Sequence, residues 1–283
     1  MRCPQCGNDI QRNQFVCVVC GTQLIVESIE RRIPYFKRHE ERWRKPMKMM
    51  ERFKLVLLNP SKAIWDITHR PSGQAFGFLF FINALLFGLV GVVILAKIDI
   101  SSVIGIGGKL MSDLPGYHAL FYLGAYAVFF VIGMIYLLIL WLFIVIAHTY
   151  GAKLGLNIVT RGKKQAGVIY WMFLPSLFAT GLYVGILAIG LPPVKASGSL
   201  LGVSPAIIAA VEELFANGKD AFMAADIAQV VVYFGYMSIL MSFVFRELYD
   251  KSTQRALVTS IITGLICMGV FIMTRSSLAI GIF

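Results

Sequence analysis

Five long apolar blocks limit the fold of this chain more than any other feature of its sequence. A helix needs about 20 apolar residues to cross the hydrocarbon core of a bilayer. The blocks cover residues 76–96, 119–149, 166–190, 222–245 and 257–274. Only 14% of the chain is charged, whereas soluble domains carry about 25% charged residues. The sequence therefore predicts an all-α membrane protein built as a bundle of five transmembrane helices.

Two pairs of cysteines precede the apolar blocks. Two residues separate Cys3 from Cys6, and two separate Cys17 from Cys20. A CxxC turn directs two thiolates at one ion, and zinc takes four such ligands in a tetrahedron. A glycine follows each pair, at a position where such a turn often needs a left-handed backbone. We predict that residues 1–26 form a small four-cysteine zinc ribbon with one structural Zn²⁺ per chain, because cysteines fill all four coordination positions.

Disulfide bonding is the first alternative to a zinc site, and it is disfavoured because cytosolic thiols stay reduced. Iron in a rubredoxin-like site is the second alternative, and it stays open since the same four ligands suit both metals. A segment this short cannot build its own core, so we expect metal binding to supply its folding energy. The fifth cysteine, Cys267, lies in an apolar block, where we expect a small buried hydrophobic side chain.

A basic juxtamembrane segment, residues 27–75, joins the cysteine pairs to the first apolar block. It contains twelve Lys and Arg against six Asp and Glu, and such cations attract acidic headgroups by about 1 kcal/mol each near the surface. Asn59-Pro60 is a typical helix start, with Asn as the N-cap and Pro at the first helical position. We predict two short interfacial helices, over 47–58 and 60–69, that lie on the membrane surface. The side chains predicted to bind lipid are Arg42, Trp43, Arg44, Lys45, Lys48 and Trp65.

The distribution of basic residues predicts the orientation of the chain in the membrane. Lys and Arg collect in cytosolic loops. If the cysteine pairs lie inside and the chain crosses five times, 21 of its 26 basic residues lie inside and five lie outside. No apolar segment typical of a signal peptide precedes the first block. We therefore expect a multi-pass protein of a prokaryotic cell membrane with its N-terminus in the cytosol and its C-terminus outside.

Motifs typical of enzymes are absent from the sequence. It contains no GxSxG, HExxH or GxxxxGK[ST] pattern, so we expect no catalytic residues and no enzymatic activity. Asp226 and Gln229 are three residues apart in the fourth block, and an ionisable group inside a membrane leaves a small transporter or channel as an alternative. A cysteine ribbon beside a basic arm leaves a membrane-tethered nucleic-acid-binding protein as another. Attachment next to a bilayer favours lipid over nucleic acid as the partner of the basic segment.

One small-residue motif lies in the third apolar block. Gly181 and Gly185 form a GxxxG pattern, and small residues let transmembrane helices approach closely. We predict that the pair lies at a helix-packing interface, either within the chain or between two copies in a homodimer.

Three short stretches carry a resemblance to a known family. They are Leu55-Val-Leu-Leu-Asn-Pro-Ser-Lys-Ala-Ile-Trp65, His148-Thr-Tyr-Gly151 and Tyr170-Trp-Met-Phe-Leu-Pro175. Over about residues 50–280 the chain resembles the Yip family, five-span proteins with a cytosolic N-terminus that are named for binding Ypt/Rab GTPases. The cysteine ribbon in front is similar to an addition found in some prokaryotic members. The resemblance assigns residues 76–283 to a five-span Yip-like membrane domain.

The resemblance also implies a function. Yip proteins of eukaryotes act in vesicle trafficking and membrane shaping, and they recruit GTPases at the cytosolic face. By this resemblance the chain is expected to be a non-enzymatic scaffold or adaptor in membrane organisation or trafficking. Its ribbon and basic segment would bind anionic lipid headgroups and a cytosolic protein partner such as a small GTPase.

Reporter fusions will test the predicted orientation. Reporters placed after Arg12, Arg161 and Phe283 should read inside, inside and outside, because positive charge resists translocation. A cytosolic signal at Phe283 would show that the fifth block does not cross, and the five-span prediction would then be wrong.

Overall fold

The computed structural model of the protein describes residues 1–12, 14–38, 46–69, 77–99, 103–104, 116–159, 161–196, 198–199 and 205–282. Four of the side chains predicted to bind lipid, Arg42, Trp43, Arg44 and Lys45, lie outside these residues.

Helices account for most of the described residues. Their bounds are α1 (Ser28–Arg32), α2 (Met49–Leu58), α3 (Pro60–His69), α4 (Phe78–Ala96), α5 (Tyr117–Leu156), α6 (Gly162–Met172), α7 (Leu174–Gly190), α8 (Pro205–Asn217), α9 (Lys219–Val230), α10 (Met237–Tyr249) and α11 (Thr253–Ile282). A 3₁₀ turn covers Pro34–Phe36, and a π-helical turn, Val231–Tyr236, joins α9 to α10.

Five helical stretches in the described part of the chain are long and apolar enough to span a membrane, as the sequence predicted. They are Phe78–Ala96, Ala119–Leu156, Lys164–Gly190, Lys219–Tyr249 and Thr253–Met273. The second stretch has 38 residues, well beyond the roughly 20 that an upright span needs. The protein is therefore a multi-pass membrane protein by the length and composition of its helices.

Two pairs of very short parallel strands qualify the all-α prediction. Strand β1 (Ile98–Asp99) pairs with β3 (Val194–Lys195), and β2 (Val103–Ile104) pairs with β4 (Gly198–Ser199). The sequence analysis predicted no strands, because a two-residue strand is too short to show the alternation of apolar and polar residues that marks one.

The chain divides into two compact units. One unit comprises Phe80–Leu140, Ser176–Val231 and Thr274–Phe283. Its apolar core gathers buried side chains of α4, α7, α8 and α9 around β1 and β3. A buried polar cluster also lies in this unit, where Asn83 Nδ2 donates to Ser176 Oγ over 2.6 Å and Thr180 Oγ1 donates to Asn83 Oδ1 over 3.1 Å. These polar groups satisfy one another, as groups inside a membrane must.

The other unit comprises Met1–Leu79, Trp141–Pro175 and Val232–Met273, and we call it the ribbon unit. In it, α2 and α3 form a helical hairpin, and α3 packs against α6 and α10. Ala63, Ile64 and Ile67 of α3 are all buried. The two helices of residues 49–69 are present as predicted, but the apolar face of α3 contacts protein rather than remaining available for a membrane surface.

Close helix contacts in the ribbon unit occur at glycines opposite hydroxyl side chains. A Cβ added to Gly155 of α5 would lie 2.5 Å from Thr259 Cγ2 of α11, and one added to Gly264 of α11 would meet Ser238 of α10. A Cβ on Gly181 or Gly185 would meet no atom within 4 Å among the described residues. Those two glycines therefore mark no close approach among the described residues, and helix packing at this pair stays a prediction.

A buried ion pair holds the α2–α3 hairpin together. The Nη2 of Arg52 lies 2.6 Å from Asp66 Oδ2, and both side chains are almost fully buried. Asp66 also accepts the backbone N–H of Met47, and the Arg52 guanidinium lies 5.9 Å from the Trp171 ring. Removing one partner of such a pair leaves a buried charge without its counterion, which is costly.

We expect Arg52→Met to destabilise the ribbon unit by about 3–5 kcal/mol, because Asp66 would stay buried and lose its counterion. Changing both partners, as Arg52→Met with Asp66→Leu, should cost much less than the sum of the single changes. Thermal unfolding of purified protein gives the coupling energy through a double-mutant cycle. Lys54→Met, on the exposed side of α2, is the matched control and should have little effect. If the double variant loses as much stability as the two single variants together, the two side chains do not interact, and the buried ion pair is contradicted.

Candidate metal centre

The two cysteine pairs form two closely similar turns. The N–H of Gly7 donates to the carbonyl of Cys3 over 2.9 Å, and the N–H of Gly21 donates to the carbonyl of Cys17 over 2.8 Å. Both glycines have positive φ, +71° and +79°, a conformation that costs glycine little and other residues more. The left-handed backbone predicted after each CxxC pair is confirmed.

The four sulfurs converge at one place. Cys3 Sγ lies 3.5 Å from Cys20 Sγ, and Cys6 Sγ lies 3.7 Å from Cys17 Sγ. All four sulfurs lie within 4.8 Å of one another. A tetrahedral ion with metal–sulfur bonds of about 2.3 Å would separate its sulfurs by about 3.8 Å. The arrangement is thus the size of a four-thiolate metal site, and its sulfurs are too far apart for disulfides, whose S–S bond is about 2.05 Å.

Hydrogen bonds tune the thiols of this site. Bonds from the side chain and backbone of Thr22 lower the pKa of Cys20 to about 6. Bonds from the side chain and backbone of Asn8 also lower the pKa of Cys6. Backbone bonds lower the pKa of Cys3 as well, but desolvation and the neighbouring sulfurs of Cys20 and Cys6 raise it to about 11. A cation at the centre would offset the repulsion among these thiolates, since metal binding deprotonates thiols.

The donor set fits a structural metal ion. Four cysteine sulfurs fill a tetrahedron and leave no open position for water or substrate, which is the pattern of structural zinc sites. The same four ligands also suit iron, so zinc stays the prediction rather than a finding.

The ribbon is attached to the rest of its unit by specific contacts. The N–H of Phe15 donates to Asp250 Oδ2 over 3.2 Å, and the Arg38 guanidinium lies 4.7 Å from the centre of the Phe15 ring. Gln23 Nε2 donates to Glu30 Oε2 over 2.5 Å. Phe15 and Gln23 lie on either side of the second cysteine pair, so the metal-binding turn is fixed at two points.

These contacts lead into a network of charged side chains, which we call the arginine network (Glu30, Arg38, Arg246 and Asp250). All of them are buried except Asp250, whose side chain is 40% exposed. Arg38 pairs with Glu30 over 3.1 Å and with Asp250 over 3.5 Å. Arg246 lies 3.9 Å from Glu30. Glu30 also accepts the hydroxyl of Thr253 over 2.6 Å. The network joins the segment after the ribbon to the turn between α10 and α11.

Arg246 extends the network to two further elements. It donates to the carbonyl of Phe36 over 2.5 Å and to Ser61 Oγ over 2.7 Å. It also pairs with Glu247 over 3.0 Å, and it is completely buried. From the sequence, Arg246 is expected only as one of the basic residues that orient the spans. A signal was available, because a charge that directly follows the apolar run of Phe243–Phe245 needs a buried partner.

The predicted lipid-binding residues that the structure describes are Lys48 and Trp65. Lys48 is exposed immediately before α2. Trp65 is half-buried, and its ring stacks on His69 with 4.7 Å between ring centres. His69 Nδ1 lies 2.9 Å from the Trp65 carbonyl oxygen and holds this stack in place. Lipid contact by Lys48 and Trp65 stays a prediction.

Comparison with known proteins identified no relative of this chain. No protein-family model matches the chain, and neither the curated proteins nor the solved structures gave a match.

Elemental analysis of the purified full-length protein should give about one zinc per chain. Cys17→Ser should abolish the metal, because it removes one of four ligands, and Cys267→Ser should retain it, because that thiol is buried in α11. The membrane helices should stay folded in both variants. Iron in place of zinc, or full metal content in Cys17→Ser, would overturn the assignment.

Proposed function

We propose that this protein is a non-enzymatic membrane scaffold or adaptor of the Yip type. In this proposal the ribbon holds one Zn²⁺ and faces the cytosol, where it and the basic segment engage a protein partner and anionic headgroups. The partner class that the Yip resemblance suggests is a small GTPase, and the setting is membrane organisation or trafficking.

The observation that carries the proposal is the attachment of the ribbon to the membrane helices. An adaptor has to present its recognition surface in a fixed position, and this requires supporting contacts behind that surface. The bond from Phe15 to Asp250 and the bond from Gln23 to Glu30 provide two such contacts. A module on a loose tether would need neither contact.

The chemistry of the ribbon also favours an adaptor. Four cysteines complete a structural site, so the metal would supply folding energy and leave no position for catalysis. A transporter would need a polar path through the spans. Gln229 is buried and Asp226 is half-buried although they are three residues apart, and one such pair does not by itself make a path through a span.

Crosslinking in native membranes tests the proposal. The tagged full-length protein should capture a specific cytosolic protein in near-stoichiometric amount, and Cys17→Ser should lose it, because the recognition surface loses its metal. Cys267→Ser is the matched control, since it also removes one thiol but leaves the ribbon intact, and it should keep the partner. The captured protein is identified by mass spectrometry and its binding repeated with purified components.

Two results would contradict the adaptor proposal. One is equal capture of the partner by wild type and Cys17→Ser, which would show that the ribbon takes no part in recognition. The other is a solute flux in liposomes containing the purified protein that Asp226→Asn abolishes, which would favour the transporter.

A further inference from the structure

A cavity of about 790 Å³ lies beside the second cysteine pair, wholly within the ribbon unit. Its walls come from the metal-binding turn, from α3, from the segment between α5 and α6, and from the end of α10 with the turn that follows. The lining residues that matter here are Val18, Trp65, Val159, Arg161, Tyr249 and Lys251.

The cavity lies where candidate spans end. Helix α5 ends at Leu156 and α6 begins at Gly162, while α10 ends at Tyr249 and α11 begins at Thr253. Residues from both connecting segments line the same cavity. In a membrane protein the connections between spans lie at or outside the level of the lipid headgroups.

The lining carries positive charge that the protein does not neutralise. Its two carboxylates are already engaged, because Glu247 pairs with Arg246 over 3.0 Å and Asp250 belongs to the arginine network. Arg161 and Lys251 form no ion pair within 4.0 Å among the residues that the structure describes. The cavity therefore offers an anionic ligand Arg161 and also Lys251, which acts on the nearby Asp250 without forming an ion pair with it.

Hydrogen bonds hold the Arg161 side of the cavity in place. The N–H of Arg161 donates to Tyr249 Oη over 3.1 Å, and Tyr249 Oη donates to Gln165 Oε1 over 2.6 Å. Gln165 is fully buried, and its Nε2 has no hydrogen-bond partner in the described part of the chain. Gln165 does not itself line the cavity, so these bonds fix the positions of the Arg161 backbone and the Tyr249 ring.

Apolar side chains stand exposed beside these polar groups. Val18 on the metal-binding turn is 74% exposed, and Val159 between α5 and α6 is 93% exposed. Both line the cavity. A water-soluble anion would gain nothing from exposed valines, whereas a ligand with an anionic head and an apolar tail would cover them.

We propose that this cavity binds the phosphate-bearing headgroup of an anionic phospholipid. Arg161 and Lys251 attract the phosphate, and Val18 and Val159 contact the start of the acyl chains. The inference rests on the proposed function only in placing the helix ends at the membrane surface, and a ribbon without a protein partner would leave it intact. Because the second cysteine pair forms one wall, loss of the metal should also weaken lipid binding.

Native mass spectrometry of the full-length protein in detergent, titrated with phosphatidylglycerol or phosphatidylcholine, tests the site. The wild type should bind one phosphatidylglycerol in clear preference to phosphatidylcholine. Arg161→Gln with Lys251→Gln should weaken this binding by about 30-fold, at about 5-fold for each charge. The matched control is Lys54→Gln with Lys153→Gln, which removes the same charge from exposed positions that do not line the cavity.

The control pair should bind lipid like the wild type. Unchanged binding in the Arg161 and Lys251 pair would overturn the proposal. Equal losses in both pairs would also overturn it, since they would show a general surface attraction. Zinc content and elution volume, measured for every variant, establish that each one is folded.

Two further experiments distinguish a lipid phosphate from a soluble phosphate and test whether charge is the basis of binding. Glycerol 3-phosphate should not compete at the concentration that saturates the site with phosphatidylglycerol, and full competition would overturn the lipid assignment in favour of a soluble organic phosphate. The charge-conserving pair Arg161→Lys with Lys251→Arg should retain binding. A loss as large as that of the glutamine pair would show that charge is not the basis of binding.

Discussion

The pairing of Arg38 and Arg246 with the carboxylate of Glu30 is the interaction on which the ribbon unit depends. All three side chains are buried. Taking a charge out of water costs several kcal/mol, so Arg38 and Glu30 depend on each other, and Arg246 depends on Glu30 together with Glu247, which lies 3.0 Å away. Glu30 follows the ribbon and Arg246 lies near the end of the fourth candidate span, so the segment after the ribbon supplies one of the two carboxylates that neutralise Arg246.

The same chemistry explains why the two short helices of the basic segment are held against protein. The hydroxyl of Ser61 accepts a bond from Arg246 at the start of α3, and Asp66 pairs with Arg52 further along the hairpin. Two buried arginines thus anchor α3 at two positions, Ser61 and Asp66. The apolar residues between them are covered by α6 and α10 as a consequence. In the described part of this segment some basic side chains are exposed and others are buried, and of these only the exposed ones can attract lipid.

The features that the sequence predicted correctly are the local ones. The length of an apolar block decides whether a helix can span a bilayer, and the spacing of the cysteines with their following glycines decides the geometry of the two turns. No local sequence pattern predicts the hydrogen bond between Thr253 and Glu30, because these residues are 223 positions apart. Whether the glycine face at Gly181 meets another helix likewise depends on packing that the local sequence does not show. Close approaches in the described part of the chain occur at Gly151 and Gly155, a second GxxxG pair, which face Thr263 and Thr259 of α11.

The contacts also show in which direction the ribbon and the membrane helices depend on each other. Glu30 has Gln23 as one partner, but it keeps Arg38, Arg246 and Thr253 if the ribbon loosens. The arginine network is therefore complete without the metal. The metal-binding turn, in contrast, is held by the network at Phe15 and Gln23, and it forms one wall of the cavity beside α10. Loss of the metal should thus open the cavity and release the ribbon while the helices stay packed. The metal would then control ligand binding by the protein rather than the folding of its helices.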